Sequence, residues 1–160
     1  MARYSSHVIS PAALANDTGF AWLMGIATGG GKLRRVILGC RNTTAATAVT
    51  DFQAKVGIGR VSTDGTGALT AATVNKLDPR HPTASLRSGT AWATSPPTVG
   101  AAATDILAIT FNTKSGVDIP AEFLEEFWID NLVTDGFAFL NRGGALPSLH
   151  VYDLLYEWEE

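Results

Sequence analysis

The chain has 160 residues, a net charge of −3, one cysteine and a charged fraction of only 17%, enough length to bury one core without covalent staples. The lone Cys40 excludes an internal disulfide framework and suits a reducing compartment, and no Lys/Arg cluster exceeds Arg34-Arg35, which argues against a nucleic-acid partner. MARYSSHVIS contains no apolar leader, and no apolar run approaches the roughly 20 residues of a membrane-spanning helix, so the sequence reads as a soluble protein made in the cytoplasm, with no membrane partner.

Residues 1–18, MARYSSHVISPAALANDT, are polar and weakly patterned, and they read as an irregular N-terminal segment ahead of a single domain at 19–160. From there the apolar period is mostly two rather than 3.6, the signature of strands. In FAWLMGIAT, Phe20, Trp22, Met24 and Ile26 fall on one side, with Ala21, Leu23, Gly25 and Ala27 on the other. In LRRVILGC, Val36, Leu38 and Cys40 oppose Arg35, Ile37 and Gly39. The TGGGK between them predicts a glycine turn and hence a β-hairpin. DFQAKVGIGRV sets Phe52, Ala54, Val56 and Ile58 against Gln53, Lys55, Gly57 and Gly59. One of those faces is buried, and the other is solvated or packed closely on a neighbour. Asp64-Gly65 supplies the next corner.

KLDPRHPTAS, residues 76–85, carries two prolines three residues apart, which forbid both a helix and a central strand. It reads as a stiff, extended polar segment or as a rigid surface loop. ASLRSGTAWA and TDILAITFN are further strands around the loop TSPPTVGAAA, with Leu107, Ile109 and Phe111 on one face. IPAEFLEEFWIDNL spaces Phe123, Leu124, Phe127, Trp128 and Leu132 as a helix would, after Pro120. A short helix near 121–131 and a strand through FWI fit it equally. FAFLN is a strand, and HVYDLLYEWEE is the clearest one: Tyr152, Leu154, Tyr156 and Trp158 line one side, Val151, Asp153, Leu155 and Glu157 the other. Short strands divided by Gly, Pro, Asp and Asn turns predict an all-β fold, an antiparallel β-sandwich of jelly-roll type.

No constellation for chemistry emerges. His7, His81 and His150 have no second ligand at metal spacing and read as surface or turn residues. GIATGGGKL ends in Gly-Lys, but Leu33 stands where a phosphate loop needs Ser or Thr, and a strand follows rather than a helix. Glu122, Glu125 and Glu126 flank apolar residues and read as a solvated face rather than a glycosidase acid pair. No Gly-x-Ser-x-Gly elbow occurs, and TDGTG falls short of a calcium loop. The sequence therefore singles out no catalytic, cofactor-binding or metal-ligating residue, calls for no cofactor, and reads as non-enzymatic. The four tryptophans, Trp22, Trp92, Trp128 and Trp158, fill the core or anchor an interface.

Four stretches together resemble the small jelly-roll head-decoration proteins of tailed bacteriophages. They are the start MARY, the basic-then-apolar KLRRVILGCRNTT, the glycine turn and proline crossing GTGALTAATVNKLDPRHPTAS, and the aromatic-acidic end YEWEE. The resemblance implies a structural virion protein, a capsid cement or fibre-like decoration, that assembles as a homotrimer on the virion surface against the major capsid protein. It also implies that the extended LDPRHP crosses from one sheet to the other. IPAEFLEEFWIDNL departs from that pattern, being heavier than the matching strand. On this reading residues 1–18 drape on the partner, and deleting them removes binding without unfolding the domain. Two rivals stay open: a tail or baseplate component, and a carbohydrate- or receptor-binding sandwich using an exposed tryptophan such as Trp92.

Overall fold

A computed structural model describes residues 1–44, 48–120 and 127–160. Their strands are β1 (Arg3–Ile9), β2 (Gly19–Met24), β3 (Gly31–Asn42), β4 (Gln53–Thr63), β5 (Leu69–Ala71), β6 (Val74–Lys76), β7 (Arg87–Trp92), β8 (Thr98–Val99), β9 (Leu107–Asn112), β10 (Val117–Ile119), β11 (Trp128–Ile129), β12 (Gly136–Asn141) and β13 (His150–Glu159). One sheet runs β10-β3-β13-β1-β6, with β11 also on β3. The other runs β5-β7-β2-β12-β4, with β8 and β9 both on the far edge of β4. The fold is all-β, and the two antiparallel sheets enclose one core.

The pairing is nested. β1 pairs β13, β2 pairs β12, β3 pairs β10 and β4 pairs β9, all antiparallel, so one long hairpin is rolled up with its ends together. That is the jelly roll. Strands β5 to β8 form an insertion between β4 and β9: β6 extends the first sheet, while β5 and β7 extend the second. The insertion also covers the outer face of the second sheet, where Trp22, Met24, Val61, Ala138 and Leu140 form a separate cluster with Trp92 and Val99.

Alternation places most side chains where the sequence puts them. Tyr152, Leu154, Tyr156 and Trp158 are fully buried along β13; Ala54, Val56 and Ile58 face the core from β4, and Ile109 and Phe111 do so from β9. A β-bulge changes the face of Phe20. Between Phe139 and Leu140 the β12 register steps from Ala21 to Gly19, and the extra residue turns Phe20 inward with Ala21 and Leu23. Trp22 and Met24 stay on the outer face.

Two expectations are corrected, and of the two readings left open at 121–131 one is decided in part. FAWLM and KLRRVILGC do not form a hairpin, because β2 and β3 lie in different sheets. The glycines between them serve close approach instead: a side chain on Gly25 would strike the carbonyls of Asp130 and Leu132, and one on Gly30 that of Ile129. Residues 1–18 are not wholly irregular either. Arg3–Ile9 is β1, an inner strand between β13 and β6. Tyr4 and Val8 enter the core, and the polar Ser6 is buried because Ser88 Oγ lies 2.8 Å away and the Thr73 carbonyl accepts its hydroxyl at 2.9 Å. The helix expected near 121–131 falls in part on 121–126, outside the described residues. Of the remainder, Phe127 reaches the core and accepts the Leu33 N–H at 3.0 Å, and Trp128–Ile129 is a strand on β3.

The proline segment does cross between sheets, joining β6 to β7. It does so through a turn rather than an extended run. Pro79 follows Asp78, the His81 N–H donates to the Asp78 carbonyl at 3.0 Å, and the Arg80 N–H donates to Asp78 Oδ1 at 2.9 Å. A chain lacking residues 1–9 loses the partner of the whole inner edge of β13. It is expected to show no cooperative unfolding transition by circular dichroism or calorimetry, whereas a melt close to that of the full chain would restore the draping reading.

Candidate functional site

The groups usually searched for chemistry hold structure here. His150 is buried, a correction to its surface reading: its Nε2 accepts the Thr50 N–H at 2.9 Å, and its Nδ1 lies 3.2 Å from the Ser148 carbonyl. His81 Nδ1 accepts the Arg3 N–H at 3.1 Å, and His7 pairs with Asp153 on the outer face of the first sheet. Among the described residues no three His, Cys, Asp or Glu side chains are grouped to hold a metal. Burial pushes the Cys40 thiol up to about 11, so it stays protonated at neutral pH. Glu122, Glu125 and Glu126 lie outside the described residues.

Charge is concentrated in one buried pair. Arg142, just past β12, donates from Nε and Nη2 to the Asp105 carboxylate at 2.9 and 2.7 Å, from Nη1 to Asp17 at 2.8 Å and from Nη2 to the Gly100 carbonyl at 2.9 Å. Both Arg142 and Asp105 side chains are nearly inaccessible. They lie over Gly57 of β4, where any side chain would collide with Asp105. The packed outer face of DFQAKVGIGRV is therefore a seat for an ion pair. The pair ties together the turn before β2, the loop before β9 and the end of β12. It binds three segments of this chain to one another.

One exposed apolar surface among the described residues lies at the end of the sandwich where Ala2 pairs with Glu160. β11 puts Ile129 into the core and turns Trp128 outward, 51% exposed. Lys32 Nζ sits 5.0 Å from its ring centroid, a cation–π contact. The following turn is closed by the Leu132 N–H to the Asp130 carbonyl at 2.7 Å and the Asp135 N–H to the Leu132 carbonyl at 3.1 Å. Arg60 donates to the Trp128 carbonyl at 2.9 Å and to Asp135 at 2.6 Å. Arg87 reaches from β7 to the Val133 carbonyl at 2.7 Å. Held from both sides, the turn presents Leu132 to solvent beside Trp128 and leaves Val133 exposed next along the chain, with Met1 near Trp128 across the Gly30–Gly31 floor.

Trp92, which the carbohydrate-binding rival takes as exposed, is instead half-buried: Gly65 packs on its ring, and the Arg87 guanidinium lies 5.5 Å from its centroid. Trp128 is the exposed tryptophan. Its exposure could not be read from helical spacing, because the FWI segment is a strand.

The C-terminal residue locks the crossing at this end. Glu160 accepts from the Ser85 N–H at 2.8 Å, the Ser85 hydroxyl, the Leu86 N–H at 3.0 Å and Trp158 Nε1 at 2.9 Å. Burial works to raise its pKa, but the hydrogen bonds from Ser85, Trp158 and Leu86 outweigh it and hold the carboxyl below its ordinary 4.5. No protein-family model matches the chain, and no curated protein or solved structure matches it.

Two measurements test this geometry. Asp105→Ala leaves the Arg142 guanidinium buried beside a single exposed carboxylate and is expected to cost about 3–5 kcal/mol in urea unfolding, with much of the loss recovered when Arg142→Met is added. A loss below about 1 kcal/mol would remove the pair from the framework. The stability contributed by Glu160 is fully present above its ordinary pKa, where the unfolded chain is also ionised. It is lost as pH falls through the depressed folded value, since unfolded Glu160 binds the proton first. Glu160→Gln should flatten the acid limb of a stability–pH curve below about 4.5, and an unchanged limb would contradict the assignment.

Proposed function

We propose that the protein is a structural, non-enzymatic virion protein that decorates the outer surface of a bacteriophage head, docking on the major capsid protein through Trp128, Leu132 and Val133. The observation that carries the reading is the nested jelly-roll pairing, an architecture that recurs in viral capsid domains. The four stretches similar to head-decoration proteins support it. A fold alone does not name a function, so the weight rests on the fold together with the surface it presents.

That surface suits attachment. A tryptophan beside an arginine, Arg60, has the composition of an interface hot spot, and the two aliphatic side chains add apolar area around it. The turn carrying them is already fixed by hydrogen bonds to Arg60 and Arg87, so little ordering entropy is lost on binding. The mechanism is buried area repeated over many copies of a lattice, which makes a modest contact durable. A carbohydrate-binding reading draws on the same exposed Trp128, since an aromatic face can stack on a sugar. It stands second because the nested pairing and the four similar stretches favour attachment to a head, while Lys32, Arg60 and Asp135 around the ring would supply the polar groups a sugar needs.

Co-sedimentation with heads stripped of the protein tests the proposal. Trp128→Ala should weaken head binding roughly 30-fold, the loss of about 2 kcal/mol expected of a hot-spot residue, with an unchanged melting temperature. Binding that survives both Trp128→Ala and Leu132→Ser would move the contact elsewhere. A wild-type protein that ignores heads, but whose tryptophan fluorescence shifts with host polysaccharide, would replace the proposal with the carbohydrate reading.

A further inference from the structure

An antiparallel sandwich must protect its outermost strands, because their unpaired N–H and C=O groups are templates for another strand. Among the described residues, the outermost strands β5, β6, β8, β10 and β11 are only two or three residues long. Several carry further protection: Asp118 of β10 is paired with Arg35, β6 ends at Lys76 before the prolines, and Pro96-Pro97 precede β8. β9 differs. It runs six residues, Leu-Ala-Ile-Thr-Phe-Asn, without a charge, a proline or a glycine, and it pairs only β4.

The register shows which of its groups are bare. The Thr113 N–H donates to the Phe52 carbonyl on the β4 side, and hydrogen-bonded pairs recur every second residue of an antiparallel ladder. The main chains of Phe111, Ile109 and Leu107 therefore face β4, opposite Ala54, Val56 and Ile58. Those of Ala108 and Thr110 point away from the sheet, and no hydrogen bond among the described residues takes them up.

We propose that a second copy of this chain pairs along this edge, β9 antiparallel to β9, about a two-fold axis at Ile109. Ala108 then stands opposite Thr110 of the partner copy. Each Ala108 N–H donates to a Thr110 carbonyl and each Thr110 N–H to an Ala108 carbonyl, so every bare group finds its complement. Identity of the two strands is what makes the match: the edge offers equal numbers of donors and acceptors, symmetric about Ile109, with no like charges brought together. On the outer face the small, exposed side chains of Ala108 and Thr110 meet without collision. On the inner face each Ile109 lies beside its mate and continues the core across the seam. This pairing does not rest on the virion reading, and it needs no third copy.

Sedimentation of the intact chain over a concentration series tests it. The expected result is a reversible approach to twice 16.9 kDa. In the double variant Ala108→Lys with Thr110→Lys, like charges stand directly opposite at both symmetry-related positions. That change should weaken association about tenfold or more, and the dilute monomer melts somewhat lower because Thr110→Lys also faces Lys55 of β4 in its own chain. Should the double variant fold poorly, hydrogen exchange on the wild type decides, with the Ala108 and Thr110 amides slowing as concentration rises. A chain that stays monomeric throughout, an oligomer of any size indifferent to the two lysines, or equal exchange of those amides when dilute and concentrated would overturn the proposal.

Discussion

Closure of the first strand on the last is the constraint on which the rest of the molecule depends. β1 and β13 pair from Arg3 with Glu159 to Ile9 with Asp153, and Ala2 and Glu160 exchange both backbone hydrogen bonds at 3.0 Å. β13 is thereby held between β1 and β3, and its row of Tyr152, Leu154, Tyr156 and Trp158 becomes the floor of the core. Phe20 stacks on Tyr152 at 5.2 Å and Phe139 on Tyr156 at 5.1 Å, so the second sheet is fixed through aromatic contacts with the C-terminal strand. A core that is complete only when the chain ends are joined has few local contacts to build on, and such topologies fold slowly.

Buried polar groups set where the sheets meet. Tyr156 Oη lies 2.7 Å from Ser88 Oγ, which lies 2.8 Å from Ser6 Oγ, a relay joining β13, β7 and β1. Burial raises the Tyr156 pKa to about 12, although the serines' hydrogen bonds work to lower it, so the phenol is neutral and acts as a strut. Asn141 plays the same part at the other end. It accepts the Tyr152 hydroxyl at 2.8 Å and donates to the carbonyls of Leu14, Ala15 and Gly144. These groups have every bond they need inside the fold, and an isostere lacking the hydroxyl or amide would leave a partner unsatisfied.

Much of the sandwich was legible in the sequence because period-two patterns report burial directly. β4, β9 and β13 stand where their alternation puts them. Pairing partners were not legible: the same alternation suits a hairpin or a sheet crossing, and only the close approach of Gly25 and Gly30 to the 129–132 carbonyls decides the matter. β1 was hidden by its composition, since Arg3, Ser5, Ser6 and His7 look like a loop until Ser88 and Asp153 are seen to receive Ser6 and His7. Arg142 and Asp105 are far apart in the chain and carry no spacing signal. Gly57, a residue with no side chain in a strand of branched ones, was the nearest hint of a close packer above it. The 128–133 surface was missed because Trp128 and Leu132 fit a helical face as well as they fit a strand and its turn.

The pairing of Ala2 with Glu160 closes the scaffold, and the apolar turn of Leu132 is displayed beside that closure. Glu160, the Arg60–Asp135 pair and the glycine floor all stiffen that end, which a surface meant to dock without rearrangement requires. None of this relies on bond-making chemistry, and the protein's action would be exhausted by where it sits. Immunogold labelling of intact particles from its source therefore tests the central claim most directly. Label distributed over the heads is the predicted result; label confined to tails, or absent from every particle, would contradict it.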